Sequence, residues 1–223
     1  MRKKLAIVLL LLLYGSNIIL AQHKFKAGLL AGIIGSQVSG DNLSGFNKPG
    51  LVAGAFVSRQ LKNEKASFEF QLTYIQKGSR KQVRPDKGDL TFYLLRLNYI
   101  EVPLLLKYKI KKFTYEVGPS VASLLKYTVQ DQYGYIPSSS PEARAFKRTD
   151  FCINAGINVP LGKRMEMNWR WSNSFLPIRD NLSTGTSVRY IYLFDWWYRG
   201  QYSTLLSLNF RYNFGIKKEE AAP

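Results

Sequence analysis

Apolar and polar residues alternate with a period of two along much of the chain. The alternation is clearest near residue 70, where Phe68, Phe70 and Leu72 lie on one face and Glu69 and Gln71 lie on the other. Period two is the spacing of a β-strand, since successive side chains of a strand point to opposite faces. Four further segments share it: FTYEVGPSVASLLKYTV from residue 113, TDFCINAGINVPL from 149, RMEMNWRWSNS from 164 and YSTLLSLNFRYNF from 202.

Eight strands are predicted once the weaker segments are included, which are 25–35, 51–60 and LRLNYIEVPLLLKY from residue 95. The linkers between them alternate in length. Tight turns are expected at 61–65, 109–112 and 161–164, and long polar loops at 39–49, 78–90, 131–148 and 176–200. Short turns at one end and long loops at the other are typical of a transmembrane β-barrel. We therefore predict an all-β fold, an eight-stranded antiparallel up-and-down transmembrane barrel over 22–215, with short periplasmic turns and long extracellular loops.

A soluble eight-stranded barrel of the lipocalin type is the structural alternative, because its strands alternate as well. Its outer face would meet water and be dense in Lys and Glu, whereas the polar faces here consist mostly of Gly, Ser, Thr and Asn. Aromatic residues near strand ends also match the girdle of a membrane protein. They are Tyr74, Phe113, Tyr115, Tyr127, Tyr212 and Phe214.

The stretch LNYIEVPLLLKYKI changes the parity of its apolar positions between Tyr99 and Ile100. One extra residue in a strand turns all the following side chains over, so the change predicts a β-bulge at this point. With the bulge, the apolar set would stay in lipid and the polar set would face the barrel interior, or lumen. The residues expected to face the lumen are Arg96, Asn98, Glu101, Pro103 and Lys107.

The chain resembles the PorT-like outer-membrane β-barrel family in several stretches. They are KAGLLAGI, SGDNLSGFNKPGLVAGAF, FEFQLTYIQKGS, LNYIEVPLLLKYKI and FTYEVGPSVASLLK. The Tyr-Ile-Glu-Val-Pro core with its downstream Gly-Pro is the most specific part. The resemblance implies an outer-membrane barrel without an assigned activity, and a link to protein export by the type IX secretion system.

The first residues have the pattern of a secretory signal peptide. Arg2, Lys3 and Lys4 precede an apolar run, and Ala21 offers a small residue for cleavage. The run is too short for a membrane-spanning helix, which is the alternative interpretation. Without residues 1–21 the chain has 29 basic and 15 acidic residues, a formal charge of +14. Residues 216–223 form a short polar tail.

The sequence contains few candidate residues for catalysis or metal binding. The one histidine, His23, lies near the predicted mature N-terminus, where a Ser-His-acid triad is improbable. One histidine and one cysteine, Cys152, cannot form a metal cluster of those ligands. The sequence shows no nucleic-acid motif. We expect a non-enzymatic membrane-embedded assembly or binding component without cofactor or metal, whose partners are outer-membrane lipid and an envelope protein or glycan. A small lipid-modifying enzyme or a narrow transport pore is the alternative function.

Charged residues on the polar faces are expected to meet inside the barrel. If the chain enters from the periplasm, five of them lie at one level near the periplasmic end: Glu69, Glu116, Glu166, Lys107 and Arg211. Carboxylates in a narrow interior need partners, so we predict an ion-pair network that plugs this half and also includes Arg96, Glu101 and Arg170. Independently solvated charges in a wet lumen are the alternative.

The stretch RYIYLFDWWYRG, residues 189–200, is the most aromatic part of any predicted loop. A spanning strand of about 9 to 11 residues ends well before it, so these side chains are expected to stand clear of the membrane. Aromatic residues are enriched in binding hot spots. We predict an extracellular contact surface formed by Tyr192, Phe194, Trp196, Trp197 and Tyr198. A lid packed on the other loops and a membrane girdle are the alternatives.

Overall fold

Eight antiparallel strands close into a barrel in the computed structural model, which describes residues 25–41, 43, 45–137, 145–180 and 200–214. Each long strand pairs with its neighbour in the chain, and the last pairs with the first, so that the barrel has no free edge. The barrel strands are β1 (Phe25–Ser39), β2 (Lys48–Gln60), β3 (Ala66–Lys81), β4 (Tyr93–Ile110), β5 (Phe113–Asp131), β7 (Thr149–Pro160), β8 (Met165–Ser174) and β10 (Gly200–Asn213).

Three shorter elements lie on the loop side of the barrel. The strand β6 (Gly134–Ile136) pairs with β5, β9 (Arg179–Asp180) pairs with β10, and a 3-10 turn covers Pro85–Lys87. The predicted eight-stranded architecture is confirmed, although β3 extends to Lys81, into the loop predicted at 78–90. No helix in the described ranges has the length and apolarity needed to cross a membrane.

The two faces of the barrel wall have the polarity of a membrane protein. Outward side chains are apolar and exposed, as for Ile33 at 60%, Leu72 at 52% and Val117 at 50% exposure. Inward side chains in the periplasmic half are buried and mostly polar, as for Glu69 and Asn168, with Phe56 and Leu105 as apolar members. A soluble barrel would reverse these two environments, so the apolar outer face meets lipid.

The irregularity near Tyr99 lies on the neighbouring strand. Asn98 of β4 pairs with Lys126 of β5, whereas Tyr99 pairs with Leu124. Leu125 therefore has no partner on β4 and is the extra residue of the bulge. The prediction of a bulge at this level is confirmed, but the prediction that β4 carries it is wrong.

The bulge reverses the facing of the side chains of β5 that follow Leu125, and it leaves β4 regular. Tyr127 and Val129, beyond it, pack toward the interior rather than toward lipid. On β4 one parity faces inward throughout, so Leu95, Leu97 and Tyr99 are buried at 0 to 1% exposure. The expectation that all apolar positions of β4 face lipid is wrong, because the extracellular half of the barrel has an apolar core.

Two loop segments cover this apolar core at the extracellular end. Phe146 and Ile178 are 6% and 0% exposed and belong to the core cluster. The Lys147 amide donates to the Ile178 carbonyl at 2.8 Å, and the Ile178 amide donates to the Gln201 carbonyl at 2.8 Å. The interior is thus filled by polar side chains in one half and apolar side chains in the other.

Candidate functional site in the barrel interior

Six charged side chains meet in the periplasmic half of the interior. Strict alternation directs each of them inward from its strand, and the up-and-down course of the chain places them at similar height. We call this group the lower cluster. Its members are Glu69 on β3, Lys107 on β4, Glu116 on β5, Glu166 and Arg170 on β8, and Arg211 on β10.

Glu69 and Arg211 form the most complete pair of the lower cluster. The two terminal guanidinium nitrogens of Arg211 donate to the two carboxylate oxygens of Glu69 at 2.9 and 2.7 Å. The guanidinium also lies 4.0 Å from the centre of the Phe56 ring. Bidentate geometry and an aromatic face both favour arginine over lysine at this position.

Lys107 joins this pair to a second carboxylate. Its Nζ lies 2.8 Å from Glu69 and 3.4 Å from Glu116. Glu116 also accepts a 2.7 Å bond from Nε of Arg170. The chain of contacts therefore runs from Arg211 across the barrel to Arg170 without a break.

Amide side chains complete the coordination of the two central carboxylates. Asn158 and Asn168 each donate to Glu116 at 2.9 Å. Gln71 donates to Glu69 at 2.6 Å and accepts from Arg170 at 2.9 Å. Buried charges persist when ion pairs and hydrogen bonds satisfy them together. The lower cluster meets that condition for its carboxylates, while Nη2 of Arg170 and Nε of Arg211 have no hydrogen-bond partner among the described residues.

A glycine makes room for the Glu116 carboxylate. Gly156 of β7 pairs with Glu116 of β5, and a Cβ at position 156 would lie 2.8 Å from Oε1 of Glu116 and 2.6 Å from the Trp169 carbonyl oxygen. Any larger residue would displace either the carboxylate or the backbone. The local sequence of β7 is thus matched to the charge that it faces.

Glu166 lies at the periplasmic edge of the lower cluster. Its carboxylate is 3.6 Å from Nε of Arg211, and its side chain is 21% exposed. The structure therefore brings all five charges of the predicted periplasmic level into one connected group, together with Arg170.

A second group of charges, which we call the upper cluster, lies further up the interior. Nζ of Lys77 is 3.0 Å from Glu101, 3.1 Å from Asp150 and 3.4 Å from Sγ of Cys152. It also lies 5.2 Å from the centre of the Tyr99 ring. Lys77 has no solvent exposure, so these partners replace water around its charge.

Glu101, a predicted lumen residue, belongs to the upper cluster and accepts a 2.6 Å bond from Ser120. Sequence reasoning missed two of its neighbours, Lys77 and Asp150. The signal was present, since Lys77 has the same parity on β3 as Glu69 and is the last residue before the loop predicted at 78–90.

Arg96 and Asn98 are the two predicted lumen residues of β4 that the structure places on its outward face. Arg96 is exposed on the outer surface of β4. The prediction failed because it assumed a bulge on β4, and without that bulge position 96 has the outward parity. No group of three or more metal-ligating side chains forms within the described part of the chain.

Three predictions concern segments outside the described residues. These are the signal peptide at 1–21, the C-terminal tail at 216–223, and the aromatic contact surface of Tyr192, Phe194, Trp196, Trp197 and Tyr198.

Comparisons with known proteins agree with this architecture. The family described as outer membrane protein beta-barrel domain matches residues 20–180. No curated protein matches the chain.

Solved structures similar to the chain include outer-membrane barrels. Ail, the attachment invasion locus protein of Yersinia pestis solved with the heparin analogue sucrose octasulfate, is 11% identical, with a TM-score of 0.46 over 86% of this chain and 99% of that chain. Neisserial surface protein A is 10% identical, with a TM-score of 0.48 over 84% and 97%. A de novo designed transmembrane β-barrel is 7% identical, with a TM-score of 0.35 over 83% and 94%.

Proposed function

Because the chain belongs to the outer membrane protein beta-barrel domain family, and is an outer-membrane protein, we propose that it serves as a non-enzymatic, membrane-embedded binding or assembly component. The observation that carries this proposal is the filled interior. The lower and upper clusters occupy the lumen along its axis, and the apolar core with Phe146 and Ile178 closes the extracellular end.

A filled interior favours a function at the two ends of the barrel over transport through it. Eight strands leave a lumen that side chains can fill, and here ion pairs and apolar contacts fill it. Planar-bilayer recordings of the purified protein should therefore show no steady conductance, with a water-filled porin as positive control. Reproducible single-channel openings would support a transport pore instead.

The non-enzymatic part of the proposal is supported by the residue content. The chain has one histidine, His23, and one cysteine, Cys152, which is 1% exposed in the interior. Incubation of the purified barrel with outer-membrane lipids should leave their acyl chains intact by mass spectrometry. Release or transfer of an acyl chain would favour the enzyme alternative.

The PorT-like resemblance supports a finer proposal, a role in protein secretion. Three residues that carry this resemblance also make close contacts inside the barrel wall. Tyr99 and Glu101 contact Lys77, and Gly118 lies so close to β4 that a Cβ there would meet the Leu104 carbonyl. The secretion role is tested by deleting the gene and measuring surface proteins exported by a type IX system. Unchanged export would contradict the secretion role. It would not contradict the more general binding or assembly role.

The extracellular aromatic surface is the proposed contact region for a protein or glycan. Replacing Trp196 and Trp197 by Ala should weaken partner capture in mild detergent while leaving the barrel folded. Loss of folding would instead support a lid, and strong quenching of these tryptophans by brominated lipid would support a membrane girdle.

A further inference from the structure

Exposed basic residues mark the end of the barrel at which the tight turns lie. Each of the three turns between paired strands carries two of them, and Glu64 is the one acidic residue within these turns. We call the six residues the basic collar: Lys62 and Lys65 after β2, Lys111 and Lys112 after β4, and Lys163 and Arg164 after β7.

One of these turns keeps a lysine where the backbone disfavours it. Lys111 has a φ of 54°, which lies in the left-handed region that glycine and asparagine adopt most easily. Two-residue hairpin turns usually carry those residues at such positions. Glycine at position 111 would make the turn more stable than lysine does. The lysine therefore indicates that the positive charge at this position has a function.

The basic collar lies next to the membrane interface. Exposed aromatic side chains occur directly beside it, with Phe113 adjacent to Lys112 and Tyr212 accepting a 3.2 Å bond from Arg164. Aromatic rings of this kind sit at the level of the lipid head groups. Since a strand rises about 3.3 Å per residue, the turns reach no more than roughly 10 Å beyond that level.

Two exposed cations on the loop side have carboxylate partners, whereas Arg84, Arg96, Lys126 and Arg148 have no ion-pair partner among the described residues. On the loop side, Lys81 pairs with Asp89 at 2.9 Å and Lys147 pairs with Asp180 at 2.8 Å. In the collar, the described residues form no ion pair with Lys62, Lys65, Lys111 or Lys112. These four lysines of the collar therefore present positive charge that no described carboxylate neutralises.

The distribution of this charge indicates the kind of partner. The three turns join β2 to β3, β4 to β5, and β7 to β8, so they are spaced around the circumference. A single acidic protein would contact one side of such a ring, whereas lipid surrounds all of it. We infer that the basic collar binds the head-group phosphates of anionic phospholipids in the inner leaflet of the outer membrane.

Tryptophan quenching by brominated lipid measures this preference at the correct leaflet. Trp169 faces outward from β8, five residues after Arg164, and is 52% exposed. Replacing the other three tryptophans by Phe makes it the sole reporter. The protein is reconstituted in dioleoyl phosphatidylcholine vesicles that contain equal fractions of brominated phosphatidylglycerol or brominated phosphatidylcholine.

We expect the relative binding constant at Trp169 to favour phosphatidylglycerol over phosphatidylcholine by about threefold or more at low salt, because each basic residue near an anionic surface adds favourable interaction. The preference should fall toward unity in high salt, since screening weakens interactions between exposed charges.

Two matched variants test whether the collar is responsible. Replacing Lys62, Lys65, Lys111 and Lys112 by Gln should abolish the preference. A control with the same change in net charge replaces four exposed loop-side cations, Arg84, Arg96, Lys126 and Arg148, and should retain it.

Equal quenching by the two brominated lipids in the protein with an unchanged collar would overturn the inference. An acidic protein would then be the better candidate partner of the collar. An equal loss of preference in the control variant would also overturn it, because overall charge would then explain the effect. The salt dependence of the lipid preference is measured with the collar unchanged. It is therefore an independent test that does not depend on whether the collar variants fold.

Discussion

Replacing Glu116 by Gln removes one charge from the centre of the lower cluster while keeping the size of the side chain. Glu116 is 3% exposed and bonds with Arg170 at 2.7 Å, Asn158 at 2.9 Å and Asn168 at 2.9 Å. The wild-type lower cluster has three acidic and three basic members, so the substitution leaves one buried positive charge without compensation. Breaking a buried pair in this way costs about 3 to 5 kcal/mol.

Urea unfolding of the protein in lipid vesicles measures this loss. The midpoint should fall without a change in slope, since the native barrel buries the same surface. Glu64→Gln, in an exposed turn, is the matched control and should stay within about 0.5 kcal/mol of the wild type. If both variants behave like the wild type, the lumen charges are independently solvated and the reasoning is refuted.

A second substitution separates loss of charge balance from general damage. Adding Arg170→Met to Glu116→Gln restores neutrality in the lower cluster and removes the guanidinium that lost its partner. The double variant should therefore be more stable than the sum of the two single effects predicts. Strict additivity would show that the two side chains do not interact.

Three further predictions follow from other positions. Gly156→Ala should lower the free energy of unfolding by about 1 to 3 kcal/mol, because the new Cβ meets the Trp169 carbonyl and the Glu116 carboxylate, whereas Gly162→Ala meets nothing and should be nearly neutral. Lys77→Ala should destabilise the barrel in urea by several times more than Arg96→Ala, since only Lys77 is buried between carboxylates. Burial raises the pKa of Asp41, in the loop after β1, from 3.8 to about 6, so stability should fall as the pH rises from about 4 to about 6, and Asp41→Asn should reduce that slope in pH-dependent unfolding.

The alternation of apolar and polar residues was sufficient to predict the barrel. Where strands are regular, as at Phe68 to Tyr74, parity assigns each side chain to lipid or lumen without further information. The same rule predicted that Glu69, Glu116 and Arg211 face the same interior. It could do so because strand direction and turn position together fix approximate height in an up-and-down barrel.

The rule failed where the barrel interior is apolar. On β4, Leu95, Leu97 and Tyr99 alternate with Arg96 and Asn98, which is also the pattern of a lipid-facing strand, so composition does not distinguish lipid from an apolar core. The structure resolves the ambiguity through pairing, because Leu125 on β5 takes up the extra residue. Sequence reasoning on one strand cannot locate a bulge on its neighbour, and Arg96 was assigned to the lumen for that reason.

The arrangement of the barrel wall and its filled interior can be tested directly by spin-label accessibility. With Cys152 replaced by Ser, single cysteines at each position from 68 to 77 are labelled in protein reconstituted in lipid vesicles. Collision with oxygen should vary with a period of two and be greatest at the outward positions, such as Leu72. Inward positions, such as Thr73, should be inaccessible to a water-soluble nickel complex. High nickel accessibility at the inward positions would show a water-filled lumen, and high nickel accessibility at the outward positions would show that the apolar face does not meet lipid.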